Sequence, residues 1–265
     1  MATIAITGSA SGIGAATAQR LAGRGHAVIG VDLRDSDVCA DLGSPTGRER
    51  AAAEIAERCG GVLDALVTCA GIGGSTTEQG GRLVSINYFG TVQLVELLQP
   101  ALAAAGRSAV VCVSSNSASC QPNWPVEIAE ACLSGDEEQA RAAAEQHRSV
   151  QAYGASKAAI AWYVRTNAPT PRWAGSGIRM NAVAPGLVET PLTEGQRADP
   201  VLGAAIAQFP IPRGEAGRPE EVAAVIDFLA GPDASLLYGS VVYADAGTDA
   251  LLRPRDYPSR WSLDL

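Results

Sequence analysis

Thr3-Ile4-Ala5-Ile6-Thr7-Gly8-Ser9-Ala10-Ser11-Gly12-Ile13-Gly14 decides the fold. Its first five residues are a β-branched, apolar run that predicts a short buried strand. Gly8, Gly12 and Gly14 then allow a sharp turn, and Ala15 to Ala22 follows as a helix. Strand, glycine turn and helix in that order build an anion cradle. The backbone comes close to a pyrophosphate, and the free N–H groups and positive dipole end of the helix face it. A nucleotide site is therefore expected at Gly8, Ser11, Gly12, Ile13 and Gly14. The next strand, Ala27-Val28-Ile29-Gly30-Val31, ends in Asp32, about 20 residues past the turn. A carboxylate there accepts hydrogen bonds from an adenosine ribose and repels a 2′-phosphate, which favours NAD(H). Arg34 favours NADP instead, the less expected choice.

Strand and helix keep alternating along the chain. Val38 to Leu42 predicts a short third strand that brings Asp41, with Leu42 beside it, to the adenine edge. Asp64 to Cys69 is a fourth strand, followed by Ala70-Gly71-Ile72-Gly73-Gly74, a small-residue turn against which a cofactor can lie. Gly81 to Leu102 reads as one long amphipathic helix carrying Asn87, and the strand Ser108 to Val113 delivers Ser114-Ser115. Residues 118–150 break the rhythm as a helical insertion, with helices over Val126 to Leu133 and Asp136 to His147. The second is so polar that it reads as a solvated surface, although the ends of the insertion fall beside Ser115 and Tyr153. After the helix that begins near Tyr153, Gly177 to Ala184 is a sixth strand closed by Pro185-Gly186. Residues 187–215 mix loop and helix and are long enough to act as a substrate lid. A helix from Arg218-Pro219 to about Leu229 and a strand from Gly239 to Ala244 complete the pattern. The fold class is α/β: a single Rossmann-like domain over 1–265, doubly wound, with a parallel sheet of about seven strands and helices on both faces.

Tyr153-Gly154-Ala155-Ser156-Lys157 puts a phenol and an ammonium four residues apart, on one face of a helix. An ammonium beside a phenol is expected to lower the phenol's pKa and make it a proton donor and acceptor near neutrality. Lys157 is the only lysine among 20 lysines and arginines, which marks a place where a compact ammonium is needed, one able to sit under a ribose.

Bulk properties set limits. Hydrophobic residues make up 47% and charged residues 18% of the 265, as in a globular core. A formal charge of −8 disfavours a nucleic-acid surface. No apolar run reaches about 18 residues, so no membrane span is expected, and the start runs straight into a strand, so a cytoplasmic protein is expected. Cys39, Cys59, Cys69, Cys112, Cys120 and Cys132 lack metal or disulfide spacing and read as reduced thiols. With His26 and His147 far apart, no metal site is expected.

With these parts in order, the chain resembles the short-chain dehydrogenase/reductase family over essentially its whole length. The resemblance rests on Thr7-Gly8-x-x-x-Gly12-x-Gly14, Asp32, Asn87, Ser115, Tyr153-x-x-x-Lys157 and Asn181-x-x-x-Pro185-Gly186. Val31-Asp32-Leu33-Arg34-Asp35, Cys69-Ala70-Gly71 and Glu189-Thr190-Pro191-Leu192 are similar to its hydroxysteroid dehydrogenase/carbonyl reductase branch. The resemblance implies exchange between a secondary alcohol and a ketone. Tyr153 would move the proton, Lys157 would lower its pKa and hold the nicotinamide ribose, and Ser115 would hold the substrate oxygen, with Ser114 structural. Asn87 would hold a water joining Lys157 to solvent. Ala70, Gly71, Pro185, Gly186, Val188 and Thr190 would join the cofactor contacts. A pocket wall of Trp124, Leu187, Val188, Leu192, Ile206 and Phe209 would suit a small hydrophobic carbonyl or alcohol, such as a steroid or cyclic ketone. Quinone, β-ketoacyl or sugar substrates stay open, as does a non-catalytic dinucleotide sensor. The family also implies a homodimer or homotetramer. Cys69 stands where the family has asparagine, which removes a side-chain amide that braces the sheet.

Overall fold

The computed structural model describes residues 1–257. Residues 258–265, the end of the expected domain, lie outside the described residues. Seven strands form one parallel sheet: β1 (Thr3–Thr7), β2 (Ala27–Asp32), β3 (Val38–Cys39), β4 (Ala65–Thr68), β5 (Ser108–Val113), β6 (Ile178–Pro185) and β7 (Val241–Ala244). Their order is β3-β2-β1-β4-β5-β6-β7. The chain winds outward from β1 in one direction, then returns past it and winds in the other. A crevice therefore opens at the C-terminal ends of β1 and β4, where the order reverses.

Side chains alternate across the sheet with period two. Ala5, Leu66, Val110 and Met180 enter the core under α2 (Pro45–Arg58), α4 (Gly90–Ala104) and α8 (Ser149–Asn167). Ile4, Ile6, Val67, Val111 and Val183 enter the core under α1 (Gly12–Gly23) and α11 (Pro219–Ala230). Both faces are thus covered, which is why the strands read as nearly continuous apolar runs.

Three elements differ from expectation. β3 is two residues long, because Asp41 already begins the turn into α2: its Oδ1 accepts from Gly43 N at 2.9 Å and its carbonyl from Ser44 N at 3.2 Å. The long helix expected over 81–102 is three segments, α3 (Gly80–Val84), a π-helical turn at Ser85–Phe89, and α4. The wider turn carries Asn87. The insertion, finally, is no detached polar surface. A short helix, α5 (Ser117–Cys120), precedes α6 (Val126–Leu133) and α7 (Glu137–Glu145), and Ile128, Ala129, Cys132, Ala140 and Ala144 are fully buried. Small alanines at helical spacing let α7 lie close against α3.

Candidate active site

The crevice at the switch point holds two adjoining cavities. The first, about 260 Å³, is lined by Gly8, Ser11, Gly12, Ile13, Gly14, Asp32, Asp41, Leu42, Ala70, Gly71 and Thr190. The second, about 110 Å³, is lined by Ile13, Gly71, Ser115, Tyr153, Lys157, Pro185, Gly186, Val188 and Thr190. Every residue expected at the cofactor is therefore brought to one continuous cleft. Arg34 is not among the lining residues, whereas Leu33, Arg82 and Ile86 are. The cradle geometry follows from its glycines. Gly12 has φ +53°, and a Cβ on Gly14 would stand 2.0 Å from the Gly8 carbonyl oxygen, so α1 could not start where it does with a larger residue. Ala70 N donates to the Thr7 hydroxyl at 3.0 Å, a brace from the neighbouring strand just beyond Cys69.

Ser114 and Ser115 leave the end of β5 on opposite sides. The Ser114 hydroxyl donates to the Lys157 carbonyl at 2.7 Å, which fastens α8 to the sheet. Ser115 faces the cleft, its Oγ accepting from Ser117 N at 3.1 Å. Tyr153 and Lys157 share a face of α8, with Nζ 5.8 Å from the centre of the phenol ring. The ammonium donates to the Val113 carbonyl at 2.9 Å. Burial pushes Lys157 down to about 8 from its ordinary 10.5, with Cys69 and Cys112 pulling weakly the other way. The Tyr153 phenol is corrected relative to expectation. Burial holds its pKa above the usual value, and the group that opposes this is Ser115 rather than Lys157. Spacing in the sequence put ammonium and phenol together, but the ammonium is drawn to a carbonyl, and desolvation of the phenol wins. Asn87 is fully buried and spends its amide on the backbone of one residue: Oδ1 accepts from Ile72 N at 2.8 Å and Nδ2 donates to Ile72 O at 3.0 Å. It fixes the cofactor-side loop.

Beyond Ser115 and Tyr153 opens a third cavity, about 370 Å³, walled by Leu187, Leu192, Leu202, Ile206, Phe209, Pro210 and Leu252. Val188 lines the second cavity instead of this one, and Trp124 is not part of it either, which corrects the expectation for both residues. The Trp124 indole donates to the Ala118 carbonyl at 3.1 Å and its ring meets Trp162 edge-on at 5.7 Å. A tryptophan needs a partner for its N–H as well as apolar cover, and α8 and the α5 segment supply both outside the cavity. Several lining residues were not anticipated. Asn116, Ser117 and Cys120 follow Ser115 directly, and Val150 lies one turn before Tyr153 on the same helix face, so position relative to the motifs was a usable signal. Leu252, in α12 (Thr248–Leu252), gave none. A larger cleft, about 670 Å³, lies at the other end of the strands between Arg20, Arg107, Arg179 and Asp227, and contains none of the motif residues.

Fold and site together define the class, an oxidoreductase built on a dinucleotide-binding sheet. Residues 2–126 match the family model described as short chain dehydrogenase, and residues 138–249 match that described as enoyl-(acyl carrier protein) reductase. The chain is 40% identical over 97% of its length to the 3-alpha-hydroxysteroid dehydrogenase/carbonyl reductase of Comamonas testosteroni, and covers 100% of that protein. It is 36% identical to the cis-4-hydroxycyclohexanecarboxylate dehydrogenase of Sinomonas cyclohexanicum, across 93% of this chain and 96% of that one. The crystal structure of the 3-alpha-hydroxysteroid dehydrogenase from Pseudomonas sp. B-0831 complexed with NADH matches with a TM-score of 0.92 and 47% identity, over 96% of this chain and 100% of that one. This chain belongs to the short-chain dehydrogenase/reductase family.

Proposed function

We propose that the protein is an NAD(H)-dependent dehydrogenase that interconverts a secondary alcohol and a ketone on a hydrophobic ring substrate, such as a 3α-hydroxysteroid and its 3-ketosteroid. The observation that carries this reading is the junction of an apolar cavity of about 370 Å³ with Ser115 and Tyr153 at the edge of the nucleotide cleft. The volume lies within the range of small-molecule sites, and its walls desolvate a fused-ring skeleton. Two relatives, one named for a hydroxysteroid and one for a substituted cyclohexane, share the theme of a hydroxyl on a ring.

The cleft fits a dinucleotide. Ser11, at the N-terminus of α1, makes no side-chain cap bond, so the first N–H groups of the helix are left for an anion. Asp32 lines the far end and suits unphosphorylated ribose, as does the NADH held by the relative of known structure. When bound, the nicotinamide exchanges a hydride with the substrate carbon. The chain's own residues manage the oxygen. Ser115 donates a hydrogen bond to it and favours the phenolate, Tyr153 gives the phenolic proton to the ketone or takes it back from the alcohol, and the Lys157 ammonium, held by the Val113 carbonyl, would reach the nicotinamide ribose. Asn87 acts as a positioning residue through Ile72. Residues 187–215 serve as a lid, bringing Leu187, Leu192, Ile206 and Phe209 over the substrate. A homodimer or homotetramer in the cytoplasm belongs to the same reading. No helix among the described residues is long and apolar enough to cross a membrane.

The test is NADH and NADPH oxidation followed at equal concentrations with 3-ketosteroids, cyclic ketones, quinones, β-ketoacyl thioesters and keto sugars. Highest kcat/KM for a ketosteroid or cyclic ketone with NADH is expected. A sugar or acyl thioester in first place would overturn the substrate, and no turnover of any carbonyl together with intact NADH binding would leave a sensor.

A further inference from the structure

Asp199 ends α9 (Pro191–Ala198), the first helix of the 187–215 segment. Pro200 follows it, and a residue before proline is pushed out of the helical region. Asp199 is accordingly extended (φ −69°, ψ 129°), and its carboxylate turns off the helix end. Oδ2 accepts from both the N–H and the hydroxyl of Thr76, each at 2.8 Å. Oδ1 accepts from Val201 N at 2.9 Å and Leu202 N at 3.1 Å, at the start of α10 (Leu202–Ala207). Three residues earlier, Gln196 Nε2 donates to the Gly74 carbonyl at 3.3 Å. The segment is thus tied at two points to the loop that follows Ala70-Gly71-Ile72, the floor of the nucleotide cleft. That loop is itself anchored. Ser149 Oγ donates to the Ser75 carbonyl at 2.7 Å and accepts from Ser75 N at 3.1 Å. Ser149 is the first residue of α8, one turn before Tyr153. The tie crosses a cleft of about 660 Å³ that Ser11, Gly71 and Pro191 also line, beside the cradle of α1.

We propose that Asp199 is the latch of the lid. By gripping Thr76 it holds α9 across the mouth of the coenzyme cleft, and its release sets the rate at which reduced coenzyme leaves. The inference rests on the function proposed above and adds to it a gating residue remote from the reacting atoms. Thr76 is the decisive partner, because its side chain serves the latch, whereas Asp199 also caps α10. The four hydrogen bonds keep the Asp199 carboxyl well below the usual carboxylate range. The latch therefore stays charged at ordinary pH and does not open on mild acidification.

The experiment is stopped-flow displacement of NADH from the wild type, Thr76→Val, Asp199→Ala and the double variant, with amide exchange of residues 191–207 measured in the coenzyme-free chain. Dissociation is expected to quicken about threefold in Thr76→Val and about tenfold in Asp199→Ala, in line with lost bonds to an exposed carboxylate. Thr76→Val should add little on the Asp199→Ala background, and exchange in 191–207 should quicken in both single variants. Single-turnover hydride transfer in Thr76→Val should stay at the wild-type rate. Unchanged dissociation in Thr76→Val, or independent additive effects in the double variant, would overturn the latch while leaving the function standing. Failure of the wild type to bind NADH at all would overturn both.

Discussion

Lys157 is 5% exposed, and its ammonium meets one carbonyl, that of Val113. Its depression from 10.5 to about 8 has a consequence for stability. Below pH 8 both folded and unfolded chains hold the proton, and the folded chain bears the full cost of burying it. Between pH 8 and 10.5 only the unfolded chain is protonated, so this group's contribution to stability rises with pH across that window. The gap corresponds to an effect on the order of 3 kcal/mol. Cys69, Cys112 and Cys132 act in the opposite sense, since burial pushes them up to about 12 from 9, and their contribution falls above pH 9. Urea unfolding of wild type and Lys157→Met at pH 7.5 to 10 separates the two. Relative to Lys157→Met, the wild type should gain stability as pH rises, and parallel profiles would show that the ammonium is not desolvated. Asp32 sets a second test at this scale. Its carboxylate holds Ala10 N and Leu33 N at 3.0 and 2.7 Å while lining the cleft. Asp32→Asn keeps an acceptor and removes the charge, so the preference for NADH over NADPH should fall on the order of tenfold. An unchanged ratio of kcat/KM values would mean that another group discriminates. The meeting of Tyr153, Lys157 and Ser115 in one cavity was legible because their types and spacing mark them out. The direction of the Tyr153 pKa and the place of Trp124 were not, because sequence shows adjacency along a helix but not how much water is excluded, nor where an indole finds its acceptor.

At the scale of elements, the strands and most helices were legible from periodicity and glycine or proline punctuation. The π turn at Ser85–Phe89 was not. An amphipathic run looks the same whether or not it contains one wider turn, and the turn is fixed by tertiary contacts such as the Asn87 bonds to Ile72. The insertion shows the same limit. The charges of α7 suggested solvent, yet three of them are spent on the body of the protein. Glu137 pairs with Arg48 at 2.7 Å, Arg141 donates to the Ser85 hydroxyl at 2.7 Å, and Glu145 accepts from Gly81 N at 2.9 Å at the start of α3. Arg48 is fully buried. Glu137→Ala leaves that guanidinium in the interior without its counter-charge, and should destabilise the protein by about 3 kcal/mol. The midpoint of urea unfolding checks this, and a change within error would show that water satisfies Arg48 in the variant. Because Arg141 reaches the π turn that carries Asn87 and Glu145 the helix just before it, the insertion supports the coenzyme side of the site and also lines the apolar cavity through Gln121, Pro122 and Val150.

The whole molecule is a parallel sheet whose strand order reverses between β1 and β4, with the glycine cradle, the Ser115 strand end and the Tyr153 helix converging on that reversal. Alternation of strand and helix made this legible from the chain alone, since right-handed crossovers leave few other arrangements. The apolar cavity beyond Ser115 and Tyr153 was legible only in part. Leu187, Leu192, Ile206 and Phe209 come from the segment next to the Pro185-Gly186 turn, whereas Leu252 arrives from the far end of the chain by tertiary folding. On the proposed function, Tyr153 supplies the proton at a site whose coenzyme binding is independent of it. The most direct measurement is a paired one on wild type and Tyr153→Phe, NADH affinity by fluorescence titration and kcat for reduction of a 3-ketosteroid or cyclic ketone. Affinity should stay within a small factor of wild type while kcat falls by roughly 10²–10⁴-fold. A variant that turns over at the wild-type rate would contradict the proposed function.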